Sequence, residues 1–285
     1  MKVVVNVSIS GSWKKIAKDR NDSMNKVSLI LTTFNSAENL LYTLDSIEDQ
    51  DYARIEVNIK DGGSTDGTLE IIKQYQKKSK YEIHWITRSD TGIYDAMNQG
   101  YQLATGDIIV FFNDQFVKED AVSKMVCLME QTPGCIGAHA DLVYATDEKV
   151  VRYWKMGPQK SLYYGWMPGH PTLFLKREIY ERYGLYKTDY RISADYEFMV
   201  RFLKDSFNRL AYLPEIIIRM YYGGTSTSGL KSYIQSLQEG HRALKENSVR
   251  HAWCIDLLRT MRVMMQFVLK PDKNTISGIF INNRN

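Results

Sequence analysis

Strand-like and helix-like hydrophobic patterns alternate four times between residues 27 and 131. The strand-like runs are short and almost continuously apolar, which is typical of strands buried on both faces. Each run is followed by a segment with apolar residues at helical spacing. The four predicted strands are VSLILTT (27–33), IEVNIK (55–60), YEIHWI (81–86) and GDIIVFF (106–112). The alternation predicts an α/β fold with a mostly parallel, Rossmann-like sheet flanked by helices.

The helical segments also predict which side chains pack on that sheet. The first predicted core face carries Leu40, Leu41, Leu44 and Ile47, and the face after the third strand carries Ile93, Ala96, Met97, Gly100, Tyr101 and Ala104. Beyond Cys135, HADLVYA and KVVRYWKM read as a hairpin, and RLAYL and EIIIRMYY read as two further strands. Because no linker or repeat interrupts this part, we expect one domain from residue 27 to residue 229.

Two helical stripes follow that domain, over residues 230–245 and 252–269. Core packing is the default interpretation of such stripes. The second stripe is also accompanied by Arg250, Arg259, Arg262 and Lys270, so the alternative is an amphipathic helix on an anionic membrane surface. Its charges exclude a membrane span. Residues 230–285 are therefore predicted to form C-terminal amphipathic helices, an appendage to the sheet domain.

Composition narrows the functional classes. The chain has 285 residues, 44% of them hydrophobic, and a formal net charge of +4, which is too mild to indicate a nucleic-acid partner. Three cysteines without paired spacing argue against a disulfide framework or a structural zinc site, and a reducing cytoplasm is the simplest location. The N-terminus lacks the features of a signal peptide.

Polar loops follow all four predicted strands. They read TTFNS, DGGSTDG, RSDTG and NDQF. Turns use these residue types for conformational reasons alone, so any single loop has a purely structural interpretation. Ligands of parallel α/β sheets, however, bind outside the carboxyl ends of the strands, where all four loops would lie. The four together therefore predict a binding cleft.

A resemblance sharpens this prediction. The segments TTFNSAENLLYTLDSI, VNIKDGGSTDGTLEII, SDTGIYDAMNQGYQLATGDII and GHPTLFLKREIYERYGLYKTDYRISADYEFMVRF resemble family 2 glycosyltransferases of GT-A fold, especially bacterial enzymes that build surface polysaccharides on lipid carriers. The resemblance covers about residues 27–226, with 1–26 as an N-terminal extension, and implies that residues 1–23 are dispensable. It implies inverting transfer of a sugar from a nucleotide diphosphate, favouring a uridine nucleotide, to a lipid-linked or glycan acceptor in the cytoplasm, at or near the inner face of the cell membrane.

The resemblance also assigns roles to residues. Donor binding falls on Thr32, Thr33, Asn35, Asp61, Asp90, Asn113 and Asp114. The family places an acidic pair near residue 114, but this chain has Asn113-Asp114-Gln115, so Asp114 is the expected ligand of Mg²⁺ or Mn²⁺. A basic side chain such as Arg219 is the expected helper if that metal binds weakly.

The remaining assignments concern the acceptor side. Asp195 in SADYEF matches the general base, with Glu197 as its fallback, although an acid in a first helical turn is also favoured by the helix dipole. His170 and Trp166, with Tyr163 and Tyr164 beside Trp166, are expected to face the acceptor, and residues 221–229 to form a mobile loop over the diphosphate.

Two other functional classes stay open on the sequence alone. A catalytically silent nucleotide-sugar-binding scaffold would account for the reduced acidic motif. A sugar nucleotidyltransferase would share parts of the sheet, but the chain lacks a Gly-rich, basic N-terminal loop for a triphosphate.

Overall fold

In the computed structural model, which describes residues 25–221, 229–269 and 271, nine strands form one sheet. The strands are β1 (Val27–Thr33), β2 (Ile55–Asp61), β3 (Glu82–Thr87), β4 (Ile108–Phe111), β5 (Gln115–Phe116), β6 (Gly137–Ala145), β7 (Val150–Trp154), β8 (Phe174–Lys176) and β9 (Leu210–Tyr221). Their order across the sheet is β3-β2-β1-β4-β8-β6-β9-β5, and β7 pairs with β6.

Most neighbouring strands near the predicted cleft are parallel. β3, β2, β1 and β4 form a parallel block, and β6 and β9 form a second parallel pair. β8 lies between the two groups and is antiparallel to both β4 and β6, so the two groups point in the same direction. The predicted mostly parallel α/β sheet is therefore confirmed, and its C-terminal half adds the antiparallel strands β5, β7 and β8.

Helices cover both faces of the sheet. They are α1 (Ala37–Glu48), α2 (Thr68–Lys78), α3 (Ile93–Tyr101), α4 (Ala121–Gln131), α5 (Arg177–Tyr183), α6 (Ala194–Leu203), α7 (Gly229–Glu246) and α8 (Ala252–Val268), with 3₁₀ turns at Leu162–Tyr164 and His170–Thr172. α1, α2 and α4 pack on one core, and α3, α5 and α6 pack on the other. Ala243 of α7 and Ile255 of α8 are buried in the second core as well. The domain boundary at residue 229 stays a prediction.

Two predicted core positions are wrong. Leu41 is 44% exposed and Ile93 is 50% exposed, whereas the neighbouring Leu40 and Tyr94 are buried. In each helix the face that packs is narrower than the apolar stripe, because the sheet covers only one side of a cylinder.

The last predicted strand pair is in fact one strand, β9. Its pairing with β6 moves from Ala140 opposite Leu213 to Asp141 opposite Ile216, skipping Pro214 and Glu215. Proline has no N–H to donate to the ladder, so the strand continues through an irregularity instead of ending there.

Residues 25 and 26 bind the sheet domain just before β1. The Lys26 amide donates to Asp107 Oδ2 at 2.8 Å, and the Tyr52 hydroxyl donates to the Asn25 carbonyl at 2.6 Å. The boundary between an extension over residues 1–26 and the sheet domain stays a prediction. The predicted dispensable segment 1–23 and the core of the predicted loop, 222–228, lie outside the described residues.

Candidate active site

The parallel strands bring their carboxyl ends to one edge of the sheet. We call this edge the carboxyl rim and define it by Thr33, Asp61, Thr87, Phe111 and Ala145, the last residues of β1, β2, β3, β4 and β6. The four polar loops of the sequence therefore share one edge, as predicted. The opposite edge is called the amino rim.

Asp61 organises the donor loop from inside the protein. It is fully buried and accepts hydrogen bonds from the amides of Gly63 and Ser64 and from the hydroxyls of Ser64, Thr33 and Thr87. Burial tends to raise the pKa of this carboxyl, but the hydrogen bonds outweigh it and hold the pKa below its usual value. In this conformation Asp61 has no surface for a nucleobase. The expected contact of Asp61 with the base stays a prediction, and the hydrogen bonds of its carboxylate shape the loop.

Asp90 remains partly accessible and has a cation beside it. The Lys60 ammonium, which is fully buried, lies 2.6 Å from Asp90 Oδ2, and the Gly92 amide donates to Asp90 Oδ1 at 3.1 Å. A buried lysine needs such a partner, since an unpaired charge in the interior is costly. The pair fixes the direction of Asp90 at the end of β3.

Phe34 projects into solvent beside this pair. Its ring is 64% exposed, and a side chain at Gly62 would lie 3.0 Å from the ring and 3.2 Å from Asp90 Oδ2. Glycine at position 62 therefore lets the ring and the carboxylate face one space. Asn35, in the left-handed region at φ 47°, ties the same loops together because it accepts from the Thr65 amide and donates its own amide to Ser64 Oγ.

The Asn113-Asp114-Gln115 corner is held from both sides. Asn113 accepts the Thr32 amide at 2.9 Å and donates to the Thr32 hydroxyl at 2.8 Å, which fastens the corner to β1. Gln115 Oε1 accepts from Arg219 Nη1 at 3.1 Å. Arg219 is 5% exposed and also donates to the Thr146 carbonyl and to Asp147 Oδ1. Asn113 and Gln115 are therefore engaged within the protein.

Asp114, between them, is different. Among the described residues no side chain or backbone amide forms a hydrogen bond or ion pair with its carboxylate. The side chain of Asp114 is partly exposed, but the crowding of its carboxylate by protein raises its pKa to about 7, because no described cation offsets the loss of water. A carboxylate in this situation favours a cation from solution. The residues present thus fit a divalent metal ion that takes one protein carboxylate and completes its shell with water and phosphate oxygens.

Asp195 lies in the first turn of α6. The Tyr94 hydroxyl is 2.5 Å from the Ile192 carbonyl and 3.0 Å from Asp195 Oδ1. No described residue donates to Asp195 Oδ2, which leaves that oxygen available to a hydroxyl of an acceptor. The fallback Glu197 is fully buried and bound to Lys187, Arg201 and Asn247, so it is a structural residue.

A line of rings connects Asp195 to the corner at Asp114. His170 Nε2 lies 2.7 Å from the Tyr186 hydroxyl, and its ring stacks on Phe111 at the end of β4. Tyr186 in turn contacts Tyr94, with ring centroids 5.8 Å apart. Burial lowers the pKa of His170, so the imidazole is neutral at pH 7.

Tyr144, on β6, is the common neighbour of the two carboxylates. Burial raises the pKa of its hydroxyl, the nearby Arg152 guanidinium lowers it, and the charges of Asp114 and Asp195 raise it. Both carboxylates therefore lie within electrostatic range of one side chain. Asp114 and Asp195 are 81 residues apart in the sequence, and the contacts of Tyr94, Tyr186 and His170 link Asp195 to Phe111 at the end of β4, three residues before Asp114.

Trp166 does not face that region. It is 2% exposed, and its indole N–H donates to the Met156 carbonyl at 3.0 Å. In this conformation Trp166 packs in the core, and its expected contact with an acceptor stays a prediction. Tyr163 and Tyr164, in the neighbouring 3₁₀ turn, are exposed.

Glu239 of α7 holds the N-terminus of the helix that carries Asp195. Its carboxylate accepts from the amides of Arg191, Ile192 and Ser193 at 3.1, 2.9 and 2.9 Å. These hydrogen bonds keep the pKa of Glu239 below its usual value despite burial, which acts in the opposite direction. A C-terminal helix thus positions a residue at the rim.

The described residues include a second acidic cluster, Glu56, Glu82 and His84, whose ligand atoms are close enough to share an ion. It lies at the opposite, amino rim. The Lys26 ammonium already sits 2.5 Å from Glu56 and 2.9 Å from Glu82. One lysine ammonium therefore already lies beside both carboxylates and offsets one of their two negative charges.

Sequence reasoning missed Phe34, Lys60, Tyr94 and Glu239. Phe34 and Tyr94 stand inside the segments that carry the resemblance, TTFNS and GIYDAMNQG, so proximity to the motif was a usable signal. Lys60 reads as a polar interruption of an apolar strand, which indicates a buried partner. Glu239 lies 44 residues after Asp195, and nothing in the sequence links the two.

The comparison with protein families matches residues 28–211 to the model of glycosyl transferase family 2. A relative from Mycobacterium bovis, "PGL/p-HBAD biosynthesis glycosyltransferase", is 29% identical over 210 residues, covering 70% of this chain and 79% of its own. A Methanococcus voltae relative, "Dolichyl N-acetyl-alpha-D-glucosaminyl phosphate 3-beta-D-2,3-diacetamido-2,3-dideoxy-beta-D-glucuronosyltransferase", is 27% identical over 235 residues, covering 74% of this chain and 70% of its own.

Solved structures support the same fold. The mannosyltransferase PcManGT from Pyrobaculum calidifontis, in complex with GDP-Man and Mn²⁺, matches with a TM-score of 0.62 and 18% identity, covering 88% of this chain and 77% of that one. S. aureus TarS in complex with UDP matches with a TM-score of 0.60 and 15% identity, covering 86% and 72%. The chain belongs to glycosyl transferase family 2, and it is a glycosyltransferase of GT-A fold.

Proposed function

We propose that this enzyme moves a sugar from a nucleotide-diphosphate donor, preferentially a uridine diphosphate sugar, to a hydroxyl of a glycan or lipid-linked acceptor, with inversion, in polysaccharide biosynthesis. The relatives support the acceptor class, since the name of the Methanococcus voltae enzyme contains a dolichyl phosphate sugar. The nucleotide class is supported by neighbours solved with GDP-Man, UDP and UDP-GlcNAc.

The observation that carries the proposal is the line of contacts that runs from Asp195 through Tyr94, Tyr186 and His170 to Phe111, three residues before Asp114. Transfer needs one group near the leaving diphosphate and another near the attacking hydroxyl, on opposite sides of the anomeric carbon. Two carboxylates with different surroundings at one rim provide such a pair. Asp114 has no described cation and Asp195 is oriented by Tyr94.

The donor nucleoside is assigned to the β1 and β2 end of the rim. Phe34 offers an exposed ring for the base, and Asp90, fixed by Lys60, offers a carboxylate oxygen to the nucleoside. Thr32 and Asn113 bind each other and keep this half of the cleft attached to the Asp114 corner. Thr33, Asn35 and Asp61 act through the shape of the loops.

Asp114 would hold a divalent cation, Mg²⁺ or Mn²⁺, and such an ion when bound would offset negative charge on the diphosphate. Asn113 and Gln115 contribute by fixing the corner, because their side chains are already engaged. Arg219 holds Gln115 and the Thr146 carbonyl in place at the same corner.

Asp195 removes the proton from the acceptor. The acceptor oxygen forms a bond to the anomeric carbon while the bond from that carbon to the diphosphate oxygen breaks, and the hydroxyl proton passes to Asp195 Oδ2. Attack from the side opposite the leaving group inverts the configuration. Tyr94 holds Oδ1, and the neutral His170 lies at the acceptor side of the same cleft.

A thermal-shift panel of nucleoside diphosphates and nucleotide sugars, with and without Mn²⁺, tests the donor assignment. Ligands that bind only the native state raise its melting temperature. We expect a uridine diphosphate sugar to give the largest shift, with Mn²⁺ increasing it in the wild type and not in Asp114→Asn. An equal effect of Mn²⁺ on both proteins would contradict the metal assignment.

A catalytically silent nucleotide-sugar-binding scaffold is the second candidate, because Gln115 stands beside Asp114 and is engaged by Arg219. It predicts the same thermal shifts without turnover. Release of nucleoside diphosphate from any donor, even by slow hydrolysis, rejects this alternative.

A further inference from the structure

The outward face of α8 is apolar. Its exposed side chains follow one another at helical spacing along the solvent side, with exposed fractions from 55% to 79%. They are Trp253, Leu257, Met261, Met264, Met265 and Val268, and we call this set the α8 face. Proteins rarely expose a contiguous patch of this kind unless something covers it.

The inward side of the same helix is mixed. Ala252 and Ile255 are buried in the second core, whereas the buried polar Gln266 accepts from Arg152 Nε at 2.6 Å. Arg259 also points inward, over the ring of Tyr196. The polarity is therefore the reverse of an ordinary surface helix, whose solvent side is polar. The most apolar side of α8 therefore faces solvent and does not pack against the protein core.

The helix is firmly seated beneath this face. Gly165, at φ 64°, would carry a Cβ only 2.5 Å from the Arg259 amide nitrogen, so glycine is what allows the 3₁₀ turn to press against α8. Arg262 Nε donates to the Tyr164 carbonyl at 3.0 Å. Two exposed tyrosines, Tyr163 and Tyr164, consequently lie alongside the α8 face.

The charges that α8 and the preceding Arg250 place beside the α8 face are positive. The only acid of the helix, Asp256, is 13% exposed and paired with His241 at 2.6 Å. Arg250 is exposed before the first turn, and the partly exposed Arg262 borders the face. Apolar side chains bordered by arginine, with tryptophan and tyrosine among them, match the interface of an anionic bilayer.

We infer that the α8 face, with Tyr163 and Tyr164, docks on the surface of an anionic lipid bilayer. In the described residues no helix is long and apolar enough to cross one, so the contact is peripheral. Insertion of the face to the depth of the head groups would bury the six apolar side chains and leave the arginines at the lipid phosphates.

This surface is connected to the cleft. The Arg152 guanidinium, held by Gln266 of α8, lies 4.5 Å from the ring of Tyr144, the neighbour of Asp114 and Asp195. Resting on the proposed function, the docking would present the cleft to an acceptor that is itself anchored in the bilayer. The docking itself requires only the α8 face.

Flotation of the full-length protein with lipid vesicles tests the inference. One set of vesicles contains phosphatidylcholine alone and the other contains equal parts of phosphatidylcholine and phosphatidylglycerol. We expect the wild type to float with the anionic set and less so at high salt, because salt screens the arginines. Leu257→Glu with Met264→Glu should reduce the floated fraction by about ten-fold, since two charges enter the buried part of the face. Leu41→Glu, an exposed leucine on α1, is the matched control and should float like the wild type.

The competing occupant is a second copy of this chain. Size-exclusion chromatography with light scattering, run on the same variants, would reveal it. A wild-type dimer that the double variant converts to a monomer, without flotation of either protein, overturns the membrane inference. So does flotation of the double variant at the wild-type level. Thermal shifts with the donor are measured in parallel and should be unchanged in the double variant, so failure of docking is distinguished from failure of the proposed function.

Discussion

Glu56 at the amino rim and Asp114 at the carboxyl rim differ in the number of groups that bind their carboxylates. At the amino rim the fully buried Glu56 lies 2.5 Å from the Lys26 ammonium and accepts from Ser28 and from the amide and hydroxyl of Thr105. At the carboxyl rim Asp114 has no such partner among the described residues. Despite burial, the hydrogen bonds hold the pKa of Glu56 to about 2, while burial raises that of Asp114 to about 7.

This difference in partners indicates which carboxylate contributes to folding stability and which one is available to a ligand. A saturated carboxylate such as Glu56 contributes to folding and offers nothing to a ligand, whereas an unsaturated one costs folding free energy and favours a cation or proton from outside. Asp61 shows that this is not simply a matter of which rim a residue occupies, since it lies at the carboxyl rim and is saturated.

The largest expected effect is on Asp195. Changing Asp195→Asn removes the general base, so transfer should fall by about 10²–10⁴-fold, the usual range for such a group. Donor binding should be unchanged in the thermal-shift assay. Asp189→Asn, the same change at an exposed carboxylate before α6, is the control and should keep full transfer. Transfer by Asp195→Asn at the wild-type rate would remove it from the mechanism.

Glu56 provides the contrasting measurement at the amino rim. A native pKa of about 2 against a usual value of 4.5 corresponds to about 3 kcal/mol of stability at pH 7. Glu56→Gln should lose that amount in urea unfolding and keep its donor affinity. Asp114→Asn is the matched amide change at the other rim and should cost no stability, because it removes a carboxylate that lacks a partner.

The sign of the pH dependence follows from the depressed pKa of Glu56. Its contribution is fully present above pH 4.5 and is lost as the pH falls from there toward about 2, because the unfolded chain then binds a proton that the native state does not. The wild type should therefore approach the stability of Glu56→Gln in acid. Parallel urea midpoints for the two proteins from pH 7 down to pH 3 would contradict the assignment.

Much of this comparison could be predicted from the sequence. Alternating apolar runs predicted the parallel strands, and the polar ends of those strands predicted the rim that carries Asp90 and Asp114. Asp195, in the first turn of α6, was assigned to the site only by the resemblance to family 2 glycosyltransferases. The state of each carboxylate could not be predicted, because saturation depends on partners distant in sequence. Glu56 is bound by Thr105, and Asp195 by Tyr94, 49 and 101 positions away.

The exposure of the α8 face to solvent also could not be predicted from the sequence. Its helical spacing is the same whether the stripe faces a core or solvent, and core packing was the natural default. Only the contacts of Gln266 and Arg259 on the other side of the helix reveal which way the stripe points.

Glu239 yields a smaller effect at the carboxyl rim. Glu239→Gln keeps the size of the side chain but weakens the acceptor of three backbone amides at the start of α6. We expect kcat to fall by about ten-fold, because Asp195 is less well oriented, while the thermal shift with donor is unchanged. Lys245→Gln, an exposed change on the same helix, should have no effect. Loss of donor binding together with kcat would indicate general damage instead of positioning.

The smallest expected effect is that of substituting Phe34. The same substitution, phenylalanine to alanine, can be made at both rims and compared. Phe34 at the carboxyl rim and Phe207 before β9 at the amino rim are both exposed phenylalanines, at 64% and 57%. If Phe34 covers the nucleobase, Phe34→Ala should weaken binding of the nucleoside diphosphate by about 1 kcal/mol, or roughly five-fold in Kd. Phe207→Ala should leave Kd unchanged, because the ring lies against Arg182, away from the cleft. Isothermal titration calorimetry of both variants measures this directly. Equal Kd values for the two variants would mean that the base does not contact Phe34. Its position along the carboxyl rim would then be sought near Asp90, which is paired with Lys60.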